Sequence, residues 1–245
     1  MWLELRNIFD QLSYDPSTRV VLFSGAGPKA FTAGLDVQTA MQSGPLASAS
    51  SNLDGARTAT SMRRHIHEFQ DCVSSIEKCE KPVINILHGH SLGLALDLAT
   101  CADIRICTSS TSFGVKEVDI GLAADIGTLS RLPKCVSSYS WVKDVCLSAR
   151  TFGAEEALRV GLVSSVWDSK EGAIREGLRM AEVIAGKSPV AVQSTKEILN
   201  HSRDRTVEEG LRYTQVWNSA ALQTRDVPTA AQAGFEKKRP RFEKL

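Results

Sequence analysis

Short apolar runs alternate with helical stretches along most of this chain, and that alternation restricts its fold more than any other feature. Residues 19–24 (Arg-Val-Val-Leu-Phe-Ser), 82–87, 104–107 and 162–167 are brief and rich in Val, Ile and Leu. Strands of this kind are buried on both faces of a parallel sheet. Between and after them lie residues 1–12, 57–78, 91–101, 137–148, 154–160 and 170–185, whose apolar positions recur at helical spacing. Residues 189–200, 206–219 and 228–237 add helices without further strands. Strand–helix alternation followed by a helical third predicts an α/β core with a helical extension. The boundary is expected near residue 185, giving a core over 1–185 and a helical region over 186–245. No internal repeat is visible. Residues 42–55, rich in Ser, Gly and Ala, read as a surface loop.

With 245 residues, 42% of them hydrophobic, the chain can fill one large core. A net charge of +1 provides no field toward nucleic acid or a membrane surface. No apolar run approaches the roughly 20 residues that span a bilayer, and the opening Met-Trp-Leu-Glu-Leu-Arg lacks the pattern of a signal peptide. Cys72, Cys79, Cys101, Cys107, Cys135 and Cys146 match no zinc spacing and read as free thiols in a reducing compartment. No metal site is expected.

Two strand–glycine loops share one design. Residues 19–24 run into Gly25, Gly27 and Gly34, followed by Leu35; residues 82–87 run into Gly89 and Gly93, followed by a helix carrying Asp97. Glycines let a backbone bend sharply and approach a ligand, and first-turn N–H groups favour negative charge. One N–H from each loop can hold a carbonyl oxygen that becomes an enolate. Alone, such loops are as often plain connectors.

Three acids shift the balance. Asp97, Glu117 and Asp125 stand among Leu, Ala, Gly and Ile. Desolvation and a neighbouring carboxylate both raise a carboxyl's pKa, which suits proton transfer near neutral pH. A turn at Gly121 would point Glu117 and Asp125 into one cavity; the competing reading makes Asp125 a helix N-cap. Lys116 and Asp119 read as a solvated pair. His65 and His67 read as surface or subunit contacts, and His88 and His90 as packing beside the second loop.

At these residues the sequence resembles the enoyl-CoA hydratase/isomerase (crotonase) superfamily, and within it the Δ3,5-Δ2,4-dienoyl-CoA isomerase branch. The likeness rests on Lys29-Ala30-Phe31-Thr32-Ala33-Gly34-Leu35-Asp36, on 81–105 with Asp97, on Val115-Lys116-Glu117-Val118-Asp119 and on Gly121-Leu122-Ala123-Ala124-Asp125-Ile126-Gly127-Thr128-Leu129. Arg131-Leu132-Pro133-Lys134 and 187–193 add to it. It implies a superhelical core of ββα units with a helical C-terminal trimerisation region. It implies an oxyanion hole from the backbone N–H groups of Leu35 and Leu94, with Ala33, Gly34, Asp36, Val37, Gly93 and Ala95 beside the substrate. Glu117 would exchange a proton at C2 of the acyl chain and Asp125 at C6, with Asp97 as a third pocket acid where hydratases carry glutamate.

The implied activity is isomerisation of 3,5-dienoyl-CoA to 2,4-dienoyl-CoA in fatty acid β-oxidation. No cofactor is needed beyond the CoA of the substrate. Two alternatives stay open: a hydratase or single-shift enoyl-CoA isomerase, and a non-catalytic acyl-CoA-binding relative. The resemblance further implies a homotrimer or dimer of trimers. Glu243-Lys244-Leu245 suggests a peroxisome, with the mitochondrial matrix as the alternative. Two departures stand out. The second loop reads Gly93-Leu94-Ala95 where relatives carry consecutive glycines, so Leu94 must take an ordinary helical conformation. The strand pair that usually precedes the first helix is expected to be missing.

Overall fold

A computed structural model describes residues 1–34, 36 and 54–245. Strands β1 (Val21–Ser24), β3 (Val83–Leu87), β5 (Ile104–Thr108) and β8 (Ser165–Trp167) form one parallel sheet in the order β1-β3-β5-β8. Strands β2 (Ala30–Thr32), β4 (His90–Leu92), β6 (Ser112–Gly114) and β7 (Phe152–Gly153) form a second sheet in the order β2-β4-β6-β7, antiparallel only at its last pair. From β1 to β6 successive strands therefore go to different sheets, and helices follow the pairs. This is the ββα repeat the resemblance implies, although the sequence itself shows no repetition.

The helices are α1 (Trp2–Tyr14), α2 (Gly55–Lys78), α3 (Leu94–Cys101), α4 (Thr128–Cys135), α5 (Tyr139–Ser148), α6 (Ala154–Val160), α7 (Lys170–Ala185), α8 (Pro189–Ser202), α9 (Val207–Ala221) and α10 (Asp226–Phe235). Strand β3 is buried at all five residues because it lies between β1 and β5. Helix α2 starts where Asp54 accepts from the Arg57 N–H at 2.9 Å, and α1 packs on it with Trp2 stacked on Phe69 at 4.6 Å. Most of the loop expected over 42–55 lies outside the described residues; Asp54 and Gly55 belong to the start of α2. Gly177 lets α7 close on the first sheet: a methyl group there would sit 3.1 Å from Ile86 Cδ1. Helix α8 is tied to the core by Lys196, whose Nζ donates to Asp103 Oδ2 at 2.7 Å and to Lys81 O at 3.0 Å. The last residues lie along the body, where Arg19 donates to the carbonyls of Phe242 and Glu243 at 3.1 and 3.0 Å.

One expected helix is shorter than the sequence suggests. Residues 91–101 read as helical throughout, but Ser91 and Leu92 are in β4, paired with Phe113 and Gly114. Gly93 then turns the chain at φ 55 and ψ −116, a conformation that strains any residue with a Cβ, and α3 begins at Leu94. All six cysteines are free thiols, and every one but Cys135 is buried. Among the described residues no helix is long and apolar enough to cross a membrane.

Candidate active site

The two glycine loops meet. A methyl group on Gly34 would lie 3.2 Å from Leu92 O and 3.9 Å from Gly93 Cα, so the first loop runs directly over the start of α3. Gly93 is pinned by its N–H to Gly114 O at 2.8 Å. Leu94 is the first residue of α3 and has no positive φ, so its N–H is a first-turn donor without an intrahelical acceptor. The replacement of a second glycine by Leu94 therefore leaves the donor available. Gly34, Gly93 and Leu94 meet at this junction, and Ala33 and Ala95 adjoin them in the chain. Leu35, proposed as the other donor, and Val37 lie outside the described residues.

Support for the loops comes from beneath. His88 is buried and its Nε2 donates to Gly27 O at 2.7 Å. Burial holds its imidazole below the ordinary pKa, and the bond to Gly27 O requires the proton of the neutral ring to sit on Nε2. Lys170 Nζ gathers the carbonyls of Gly25 and Gly27 at 2.6 and 3.0 Å. His88 is thus a packing residue, as its sequence position implied.

Glu117 opens a 3-10 helix, Glu117–Ile120, and its carboxylate closes on the loop junction. A methyl group on Gly93 would be 3.3 Å from Glu117 Oε1. The other oxygen, Oε2, is buried with no hydrogen-bond partner among the described residues. Burial raises the Glu117 pKa, backbone N–H groups oppose this, and the charge of Asp125 raises it further. An under-bonded carboxylate with an elevated pKa beside backbone donors is equipped to take a proton from bound substrate. Lys116 faces away from it, donating to Asp119 Oδ2 at 3.2 Å and to Ala149 O at 2.5 Å.

The three acids do not share one environment. Asp97 is only 2% exposed, Glu117 is half-buried and Asp125 is exposed. Asp125 is not an N-cap: the N-cap position of α4 is Gly127. The cap comes instead from Asp97, whose Oδ1 accepts from Thr128 N at 2.7 Å and Thr128 Oγ1 at 2.8 Å. Burial, opposed by these bonds and reinforced by the charge of Glu117, lifts Asp97 to about pH 6. Asp97 thus feels Glu117, and Glu117 feels Asp125, which makes the three acids one electrostatic chain.

Asp97 supplies a stability prediction. Its folded pKa lies above the ordinary 3.8, so the neutral acid favours the fold. That contribution is fully present below about pH 4 and is lost as pH rises through about 6. Above that, the ionised form opposes folding by up to about 3 kcal/mol. Asp97→Asn keeps an acceptor for Thr128 and removes the charge. It is expected to stabilise the protein by about 1–3 kcal/mol at pH 7.5 in chemical denaturation, with the gain shrinking at pH 5. A variant less stable than the parent at pH 7.5 would refute this.

A cleft of about 340 Å³ opens beside Asp125. Its described lining includes Gln70, Ser74, Glu77, Asp125, Arg131 and Arg203, but neither Glu117 nor Leu94. Gln70 was not among the candidates drawn from sequence. Its Nε2 donates to Asp125 O at 2.6 Å. The signal was a polar side chain at the end of the otherwise apolar line Met62, Ile66, Gln70 on α2.

Comparison with known proteins places these features in context. Residues 1–244 match the family model described as Enoyl-CoA hydratase/isomerase. The mitochondrial Delta(3,5)-Delta(2,4)-dienoyl-CoA isomerase of Mus musculus is 44% identical over 237 residues, covering 97% of this chain and 71% of the relative. The peroxisomal Delta(3,5)-Delta(2,4)-dienoyl-CoA isomerase of Arabidopsis thaliana is 41% identical over 244 residues, covering 100% of this chain and 86% of the relative. Among solved structures, an enoyl-CoA hydratase from Bacillus anthracis superposes with a TM-score of 0.86 at 27% identity, over 99% of this chain and 88% of that one.

Proposed function

This chain belongs to the enoyl-CoA hydratase/isomerase family, and we propose that it isomerises 3,5-dienoyl-CoA to 2,4-dienoyl-CoA in fatty acid β-oxidation. The observation that supports this reading is the second acid: the charge of Asp125 acts on Glu117, and Asp125 itself lines an open cleft. Single-shift isomerisation has no use for a further acid.

The chemistry follows from the placement. The thioester oxygen accepts from the N–H groups of Leu94 and Leu35, with Ala33, Gly34, Asp36, Val37, Gly93 and Ala95 shaping the surrounding wall. Glu117 takes a proton from C2. The electron pair moves through the conjugated chain and the thioester oxygen carries the developing charge. Asp125, exposed beside the cleft, relays a proton from solvent to C6. The double bonds at C3 and C5 become double bonds at C2 and C4, and Glu117 releases the proton it took to solvent before the next turnover. Asp97 holds the start of α4 through Thr128 and adds its charge to the set. Nothing in this sequence of steps calls for a metal or redox cofactor; CoA enters as part of the substrate.

Hydratase chemistry fits less well. It asks for two glutamates bracketing a water, whereas the second position here is the shorter Asp97, already engaged by Thr128. Ultraviolet absorbance with 3,5-dienoyl-CoA and 2-enoyl-CoA separates the readings. Formation of the conjugated 2,4-dienoyl product, without hydration of the 2-enoyl substrate, is expected. Hydration without dienoyl turnover would overturn the assignment, and binding of both without reaction would make the chain an acyl-CoA-binding relative.

The helical region 186–245 presents Leu211, Val216 and Phe235 to solvent, and we assign it to assembly as a homotrimer or dimer of trimers. Sedimentation of the purified protein reads this directly. Its relatives are named for mitochondria and for peroxisomes.

A further inference from the structure

The geometry points to Gln70 as a positioning residue that fixes the reach between the two acids and so selects a double over a single bond shift. This rests on the dienoyl reading above. Asp125 is exposed, and among the described residues its carboxylate takes no hydrogen bond or ion pair, so its backbone alone places it. That backbone is permissive, since Gly121 and Gly127 flank the segment at φ 77 and 156. The restraint comes from α2. Gln70 Nε2 donates to the carbonyl of Asp125 itself at 2.6 Å. One turn and two turns along the same face, Ser74 and Glu77 accept from Arg131 at 2.8 and 3.0 Å. The Arg131 guanidinium in turn packs beneath Gly127, where a methyl group would collide with it. On the α3 side Asp97 holds Thr128. Of these contacts, only that of Gln70 falls on Asp125.

Glu117 is anchored elsewhere. Its 3-10 helix is fastened to the end of α5 through Lys116 and Ala149, and its carboxylate rests on Gly93. The acid at C2 and the acid at C6 therefore hang from different helices. A slack Asp125 would leave proton removal at C2 intact but would deliver its proton late, or to C4. Protonation at C4 moves one double bond instead of two and gives 2,5-dienoyl-CoA.

Gln70→Met preserves length and removes the donor. Its turnover of 3,5-dienoyl-CoA is expected to fall about five- to tenfold, the effect of about one lost hydrogen bond. KM and deuterium exchange at C2 in D₂O should stay within about twofold of the parent, and the 2,5-dienoyl fraction should rise. Gln70→Glu, which keeps size and polarity but cannot donate when ionised, carries the same expectation if the methionine variant does not fold. Unchanged turnover and product ratio would overturn the inference alone. So would a parallel fall in turnover and C2 exchange, which is the mark of a general structural role. A parent protein with no dienoyl turnover would instead overturn the functional reading, and this inference with it.

Discussion

Glu117→Gln is expected to lower kcat for 3,5-dienoyl-CoA by about 10²–10⁴-fold, the range attributable to a positioned general base. Glutamine keeps the shape of the side chain against Gly93 and loses only the ability to accept a proton. Two features of the site make the loss large. Among the described residues Oε2 is buried without a hydrogen-bond partner, so no neighbouring donor ties up the base. The other acids are engaged elsewhere: Asp97 caps α4 and Asp125 stands at the far end of the relay. KM should change by no more than a few-fold, because the proposed thioester contacts are backbone N–H groups that the substitution does not touch. Deuterium exchange at C2 should disappear together with turnover. Retention of either within tenfold of the parent would remove Glu117 from its assigned role. Fold loss is not expected, since burial already favours a neutral group at this position.

The first sheet was legible in the sequence because its strands are continuous apolar runs such as Val83-Ile84-Asn85-Ile86-Leu87, buried on both faces. The second sheet was not. Its strands are two or three residues long and carry His90, Ser91, Ser112, Gly114 and Gly153, whose local preferences do not favour a strand. Pairing with the neighbouring strand decides their conformation, and that information is not local. The same contrast runs through the site. Three acids in apolar company and two strand–glycine loops could be read from residue type and spacing.

The division of labour among the acids could not. Asp97 sits on a helix whose residues from Ala95 to Cys101 are all buried, so it must find partners, and it finds them in Thr128, 31 residues away. Asp125 lies in a loop beside an open cleft, and among the described residues its carboxylate takes no hydrogen bond or ion pair. Both acids have Leu and Ala as sequence neighbours, and only tertiary contact separates them. Gln70 is the extreme case: its bond to Asp125 joins residues 55 positions apart, through a carbonyl that any residue would offer.

Asp125→Asn isolates the second half of the reaction. Asparagine fits the same loop and leaves the Gln70 bond intact, because that bond is made to the main chain. It cannot deliver a proton. Turnover of 3,5-dienoyl-CoA is therefore expected to fall by about 10²–10⁴-fold, while exchange at C2 continues. This pattern differs from that of Glu117→Gln, where both reactions stop. The pH dependence of the remaining exchange provides an independent check. The charge of Asp125 is one of the influences that raise the Glu117 pKa, behind burial. Without that charge the Glu117 carboxyl ionises at lower pH, so the acidic limb of C2 exchange should move down in the variant. A limb that stays put would mean that the two acids do not share a field. Loss of C2 exchange in Asp125→Asn would mean that Asp125, not Glu117, starts the reaction, and the relay would have to be written from C6 toward C2.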